Sequence, residues 1–181
     1  MIFLSAGHNL QGPNPDPGAC SGTWVEAELT KELRDLVEEE LQVLLASITT
    51  DKDSETLAQY IRRIKPGTGS VVCEFHFNCS DHLATGVEVL VKDAASVIER
   101  KLANDICDIV KATGLLKRGV KTEAQSHRGH LGILHTRAGM SVLLEICFIN
   151  NPRDMDLYQK NKGILAMQIA AVLYKYDKLY N

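Results

Sequence analysis

The chain has 181 residues, 45% of them hydrophobic and 24% charged, with a formal net charge of −3. That length suits one domain with a sizeable core, and an acidic balance without a basic run argues against nucleic acid as a partner. The apolar stretches are too short to span a bilayer, and no basic region follows Met1, so synthesis in the cytoplasm without a signal peptide is expected.

In chain order, Met1 to His8 reads as a buried strand broken at Gly7, which delivers His8 to its carboxyl end. Asn9 to Gly22, rich in Gly, Pro, Asn and Asp, is a loop of the length that often covers a site. Thr23 reads as a helix N-cap with Glu26 completing a capping box. Val25, Leu29, Leu33, Leu36 and Val37 give that helix one apolar stripe, ending near Glu40. Val43 to Thr50 is a second strand, and Asp53 to Lys65 a second helix stopped by Pro66-Gly67. Ser70 to Phe77 is a strand whose alternation puts Glu74, His76 and Asn78 on one side and Cys73, Phe75 and Phe77 on the other.

A polar loop leads to a strand over Gly86 to Lys92. Asp93 then caps a long helix with Val97, Ile98, Leu102, Ile106, Ile109 and Val110 inward, closed by Gly114. Leu115 to His130 has no clear period and is the most basic part of the chain. It reads as a loop, solvated or facing substrate, and Arg118 and His130 are its substrate-facing candidates, with Asn78 beside His76 as a third. Leu131 to His135 is a short strand, Ser141 to Phe148 a strand carrying Glu145, and Gly163 to Tyr176 the last helix. Strands alternating with helices give an α/β class: one three-layer domain over 1–181, with a mostly parallel twisted sheet flanked by helices.

Five cysteines without CxxC spacing do not suggest a disulfide framework. Cys73, Cys107 and Cys147 sit in apolar patterns and read as small buried hydrophobes. A cysteine hydrolase built on Cys79 or Cys147 is a poor alternative, since Cys147 lies in an apolar run.

Three apolar runs carry His8, His76 and Glu145 at or near their ends, and in an open α/β sheet ligands bind beyond the carboxyl ends of the strands. Two neutral imidazoles and a carboxylate are a standard set for catalytic zinc, with a fourth position for water. Such a metal lowers the pKa of its water towards about 7 and polarises a carbonyl. A second carboxylate then takes the water's proton and hands it to the leaving amine. His8, His76, one of Glu26 or Glu28, and Glu145 are available for these places. There is no HExxH, so a helix-borne protease site is not expected.

The order GH, Gly-x-x-x-Glu opening a helix, FHFN followed by GVEV, KRGVK, and VLLEICFINN resembles the zinc-dependent N-acetylmuramoyl-L-alanine amidases of the type 3 family. The likeness runs from Ile2 to the final helix. It implies hydrolysis of the amide between N-acetylmuramic acid and L-alanine in peptidoglycan. It further implies zinc held by His8, Glu26 and His76, with Glu145 as catalytic acid/base. The family often carries Thr-Arg-x-x-Asp after its second strand; here the stretch is Thr49-Thr50-Asp51-Lys52-Asp53, without the arginine. The compact chain, with no room for a wall-binding module, resembles phage or prophage endolysins. Helical phase agrees with the resemblance on Glu26. At about 100° per residue from Val25, Glu26 falls at about 100°, inside the apolar stripe, and Glu28 at about 300°, outside it. The alternatives are another zinc peptidase, such as a carboxypeptidase using Arg118, Arg128 or Arg137 for the terminal carboxylate, and a catalytically silent peptidoglycan-binding module.

Overall fold

The computed structural model describes residues 1–12 and 14–179; Pro13, in the predicted covering loop, lies outside them. The elements are β1 (Ile2–Ala6), β2 (Cys20–Ser21), β3 (Trp24–Val25), α1 (Glu26–Val43), β4 (Ile48–Thr50), α2 (Leu57–Arg63), β5 (Val71–Asn78), β6 (Val87–Val91), α3 (Val97–Lys111), β7 (Lys117–Thr122), β8 (Met140–Phe148) and α4 (Pro152–Leu179). Two 3-10 turns, Glu123–Gln125 and Gly132–His135, lie between β7 and β8. β2 and β3 form a small hairpin, and the other strands make one sheet in the order β4-β1-β5-β8-β6-β7. Pairing is parallel throughout that sheet except between β6 and β8.

Helices cover the sheet unequally. Leu29, Leu33, Val37 and Leu41 of α1, Leu102, Ile106 and Val110 of α3, and Leu165, Ile169 and Leu173 of α4 share one core with Ile2, Leu4, Cys73, Phe75, Val89, Val142 and Leu144. On the other face a smaller cluster joins Tyr60 of α2, Ile64, Ile133 and Leu134 to Phe3, Val72, Leu90 and Leu143. Period-two alternation sorts these residues between the two faces. No helix among the described residues is long and apolar enough to cross a membrane.

Several boundaries differ from the sequence reading. Thr23 lies in the turn between β2 and β3, and the N-cap of α1 is Val25, with no side-chain cap bond. The covering loop does the capping: the N–H groups of Glu26 and Ala27 donate to the carbonyls of Ala19 and Pro17. α1 runs past Glu40 to Val43, and β4 is correspondingly short. α2 starts only after the Thr56/Gln59 capping box and ends at Arg63, because Ile64 is already extended ahead of Pro66. Ser96, not Asp93, caps α3 through a box with Glu99; Val97 therefore falls on the first turn and is 86% exposed, not inward.

The stretch read as an aperiodic loop contains β7, an edge strand whose polar residues hide its period. Leu131 to His135 is a 3-10 turn, not a strand. α4 begins at Pro152, ahead of the predicted start, with proline at the first helical position where its missing N–H costs nothing. Cys147 is buried beside Met155 in the helix-covered core. The register between β5 and β8 shifts past His76, so Cys147 is turned away from the face that carries Glu145.

Candidate active site

β1, β5 and β8 are parallel, so their carboxyl ends share one edge of the sheet. β6 runs the other way and brings its first residues to the same edge. Register then sets a row of side chains: His76 stands opposite Glu145, and Glu145 opposite Glu88. Ser5 and Glu74 are paired one step behind, and Ser5 Oγ donates to Glu74 Oε1 at 3.3 Å. His8 follows β1 through Gly7. A Cβ on Gly7 would lie 2.2 Å from His76 Cε1, so only glycine lets the His76 ring rest over this backbone.

Glu26 opens α1 and is 4% exposed. The Ala19 N–H donates to its Oε2 at 2.8 Å and the Phe77 N–H to its Oε1 at 3.0 Å. Gly18, at φ +66°, closes over the pair: a Cβ there would lie 2.6 Å from both Glu26 Oε2 and His8 Cδ2. Glu26 Oε1 is 2.9 Å from His76 Nδ1, and Oε2 is 3.4 Å from His8 Nε2. The two imidazoles meet edge to face, with centroids 5.0 Å apart. One donor atom from each of His8, Glu26 and His76 lies within 4.8 Å of the others. Glu28 is exposed on the opposite side of the helix.

The electrostatics of this cluster are unbalanced. Burial opposes the charge on Glu26, but hydrogen bonds from His76 and His8 outweigh it and hold the carboxyl well below the usual range. Burial also opposes protonation of His76, yet its bonds to Glu26 and Glu74 push it well above an ordinary histidine. His8 is raised too: burial works against the proton, and the bond to Glu26 more than compensates. Burial pushes Glu145 up to about 7. Among the described residues no lysine or arginine pairs with Glu26, Glu74 or Glu145; Glu26 pairs with both histidines and Glu74 with His76.

Two buried polar atoms here lack a hydrogen bond, His8 Nδ1 and Glu145 Oε2. His8 Nδ1 does stand 2.9 Å from Asp16 Oδ2, an ion pair when the ring is protonated. Buried carboxylates short of positive charge, orphaned polar atoms and a two-imidazole, one-carboxylate donor set all fit a divalent cation.

The cluster forms one end of an open cleft of about 820 Å³. Asn78 and Arg118 line it and share Glu88: Asn78 Nδ2 donates to Oε1 at 3.1 Å and Arg118 Nε to Oε2 at 2.6 Å. His130 does not line the cleft; it is exposed and stacks on His135. Sequence reasoning passed over Glu88, Lys121 and Asp16. Lys121 Nζ donates to Glu88 Oε2 at 2.7 Å, so the most basic segment is partly spent on one carboxylate. Glu74 carried a signal in its alternation with His76, and its Oε2 lies 3.5 Å from His76 Nε2. The family's missing arginine leaves no unpaired acid: Asp51 accepts from Arg34 Nη1 at 2.8 Å and from the Ala6 N–H at 3.1 Å.

An open α/β sheet with imidazoles and carboxylates converging at its strand ends defines a hydrolase-type domain suited to a divalent metal. The model of the N-acetylmuramoyl-L-alanine amidase family matches residues 2–174, and the chain belongs to that family. Among solved structures, a putative N-acetylmuramoyl-L-alanine amidase from Neisseria meningitidis is 26% identical, with TM-score 0.74 and coverage of 96% of this chain and 93% of that one. The catalytic domain of an endolysin targeting Clostridia difficile is 20% identical, with TM-score 0.74 and 96% of each chain covered. The catalytic domain of the amidase CwlV from Bacillus (Paenibacillus) polymyxa var. colistinus is 20% identical, with TM-score 0.74, 97% of this chain and 96% of that one being covered. No curated protein matches the sequence significantly.

Proposed function

We propose that the protein is a zinc-dependent N-acetylmuramoyl-L-alanine amidase that cuts the amide between the lactyl group of N-acetylmuramic acid and L-alanine in peptidoglycan, with residues 1–181 as one catalytic domain. The observation that carries this reading is the convergence of His8, Glu26 and His76 beside Glu145 in a chain of the amidase family. His8, Glu26 and His76 would hold the metal. Bound zinc would supply a water acidified towards about pH 7 and a polarised scissile carbonyl.

Glu145 is the acid/base. Its raised carboxyl, at about 7, suits a group that accepts a proton from water and then donates one to the leaving amine of L-alanine. Its Oε2 has no protein partner to compete for that proton. Glu26 serves as a ligand and not as the base, because its carboxyl is held ionised by two imidazoles and fixed by two backbone N–H groups. Asn78, Arg118 and Lys121 present polar groups along the cleft where a glycopeptide chain would lie. A carboxypeptidase would need an arginine for the terminal carboxylate: Arg118 is already paired with Glu88, which leaves Arg128 as the arginine on the cleft wall for that role.

Digestion of purified sacculi tests the proposal. Free α-amino groups on L-alanine should appear without new reducing sugar ends, and chelation should stop their release. New reducing ends, or release of free C-terminal amino acids alone, would move the protein to another class.

A further inference from the structure

Glu123, His130 and His135 lie on the far side of the cleft wall and take no part in the proposed hydrolysis. Glu123 opens the first 3-10 turn after β7 and is buried although it is an acid. The Leu131 N–H donates to its Oε2 at 2.9 Å. His135 Nε2 stands 2.8 Å from Oε1 and 2.9 Å from Oε2, and His130 Nδ1 stands 3.6 Å from Oε2. The two rings are stacked with centroids 4.4 Å apart and planes at 30°. Gly129, at φ +66°, turns the chain so that His130 folds back over His135.

One imidazole is enough to satisfy the outward side of this carboxylate. The second ring brings another nitrogen to the same oxygen, and one donor atom from each residue lies within 4.8 Å of the others. Among the described residues no lysine or arginine pairs with Glu123, so the only ionic partners of this buried acid are the two histidines. The donor classes are those of the first cluster, two imidazoles and one carboxylate. Oxygen-preferring ions such as calcium and magnesium suit this set poorly, whereas zinc suits it well.

We propose that Glu123, His130 and His135 form a second divalent-metal site of the zinc class, which clamps the 123–135 segment. Its histidines are exposed and its neighbours in space come from one segment, so it binds more weakly than the buried cluster and keeps positions open to water. Residues of the same segment, among them Gln125, His127, Arg128 and Leu131, line the cleft. Occupation of the site therefore stiffens the wall along which substrate lies.

The test is titration of the metal-free protein with Zn²⁺ against a chromophoric chelator, with trypsin cleavage after the exposed Arg128 as a second readout. Wild type should take a tight and a weaker equivalent. The His130→Ala/His135→Ala protein should lose only the weaker one, and the His8→Ala/His76→Ala protein only the tight one. Zinc should slow cleavage at Arg128 in wild type and in the His8/His76 variant, and have no such effect in the His130/His135 variant. A wild type with no weaker equivalent, or one that survives in His130→Ala/His135→Ala, overturns the proposal. Both altered residues are exposed, so that variant decides the matter even where the buried-site variant fails to fold. A wild type that takes the weaker equivalent but no tight one would contradict the zinc-dependent reading of the first cluster and leave this site standing.

Discussion

On the face of the sheet covered by α1, α3 and α4, the strands contribute Ile2, Leu4, Cys73, Phe75, Val142 and Leu144, each fully buried. On the opposite face the same strands and β6 carry a smaller apolar cluster (Phe3, Val72, Leu90 and Leu143) and then, towards the active-site edge, Ser5, Glu74, His76 and Glu145, joined by Glu88 and by His8 beyond β1. Burial barely distinguishes the two sides, since Glu74 is 2% exposed and Glu88 6%. Chemistry does. Apolar atoms packed against each other need no further partner, whereas buried carboxylates need protons, donors or cations. One face is therefore complete as it stands, and the acidic row on the other is where the proposed cation would complete the charge balance. Substitutions on the first should cost stability, and substitutions in that row should cost metal and catalysis.

The largest effect should come from His76→Ala, which removes a proposed ligand and one of the imidazoles balancing Glu26. We expect loss of tight zinc and of all measurable sacculus digestion, with the circular dichroism spectrum retained. Stoichiometric tight zinc in this protein would break the division between the faces. Glu145→Gln should come next: zinc retained and turnover lowered by about 100- to 10,000-fold. The same variant makes a pH prediction. Burial raises the Glu145 carboxyl from 4.5 to about 7, so the folded, metal-free protein holds a proton that the unfolded chain releases. This contribution to stability is present at low pH and is lost as pH rises through about 7. Denaturant unfolding of Glu145→Gln should lack that slope.

Leu33→Ala, on the helix-covered face, should destabilise by about 2–5 kcal/mol through a cavity under α1, measured by chemical unfolding, while the folded fraction binds zinc as wild type does. Weaker zinc binding by fully folded Leu33→Ala would show that the faces are coupled. Glu74→Gln is a smaller perturbation. An acid oriented on a ligand's second nitrogen typically contributes about 10- to 100-fold in metal affinity. We expect a loss in that range by chelator competition, with little change in stability. An unchanged affinity would demote Glu74 to a packing residue.

Much of this plan was legible in the sequence, for identifiable reasons. Buried strands such as Ile2–Ala6 and Met140–Phe148 announce themselves by continuous apolar runs. The phase of α1 separates Glu26 from Glu28 by local geometry alone. β7 was hidden because an edge strand bearing Lys117, Arg118 and Lys121 carries no hydrophobic period. Thr23 looked like a cap because side-chain capping is local, while the real cap is the loop backbone folded back from Pro17 and Ala19. Glu88 belongs to the site only through the antiparallel pairing of β6 with β8, a non-local fact that no spacing reveals. His130 drew attention as one more histidine in a basic stretch, yet its neighbours are Glu123 and His135 and not the cleft.

The central claim is that Glu26, buried at the start of α1, is the carboxylate that holds the metal. Tight zinc binding by Glu26→Ala and Glu28→Ala, measured side by side in competition with a chelator, tests it most directly. Glu26→Ala should lose the tight equivalent and Glu28→Ala should match wild type. Retention of tight zinc by Glu26→Ala, or its loss from Glu28→Ala, would contradict the account.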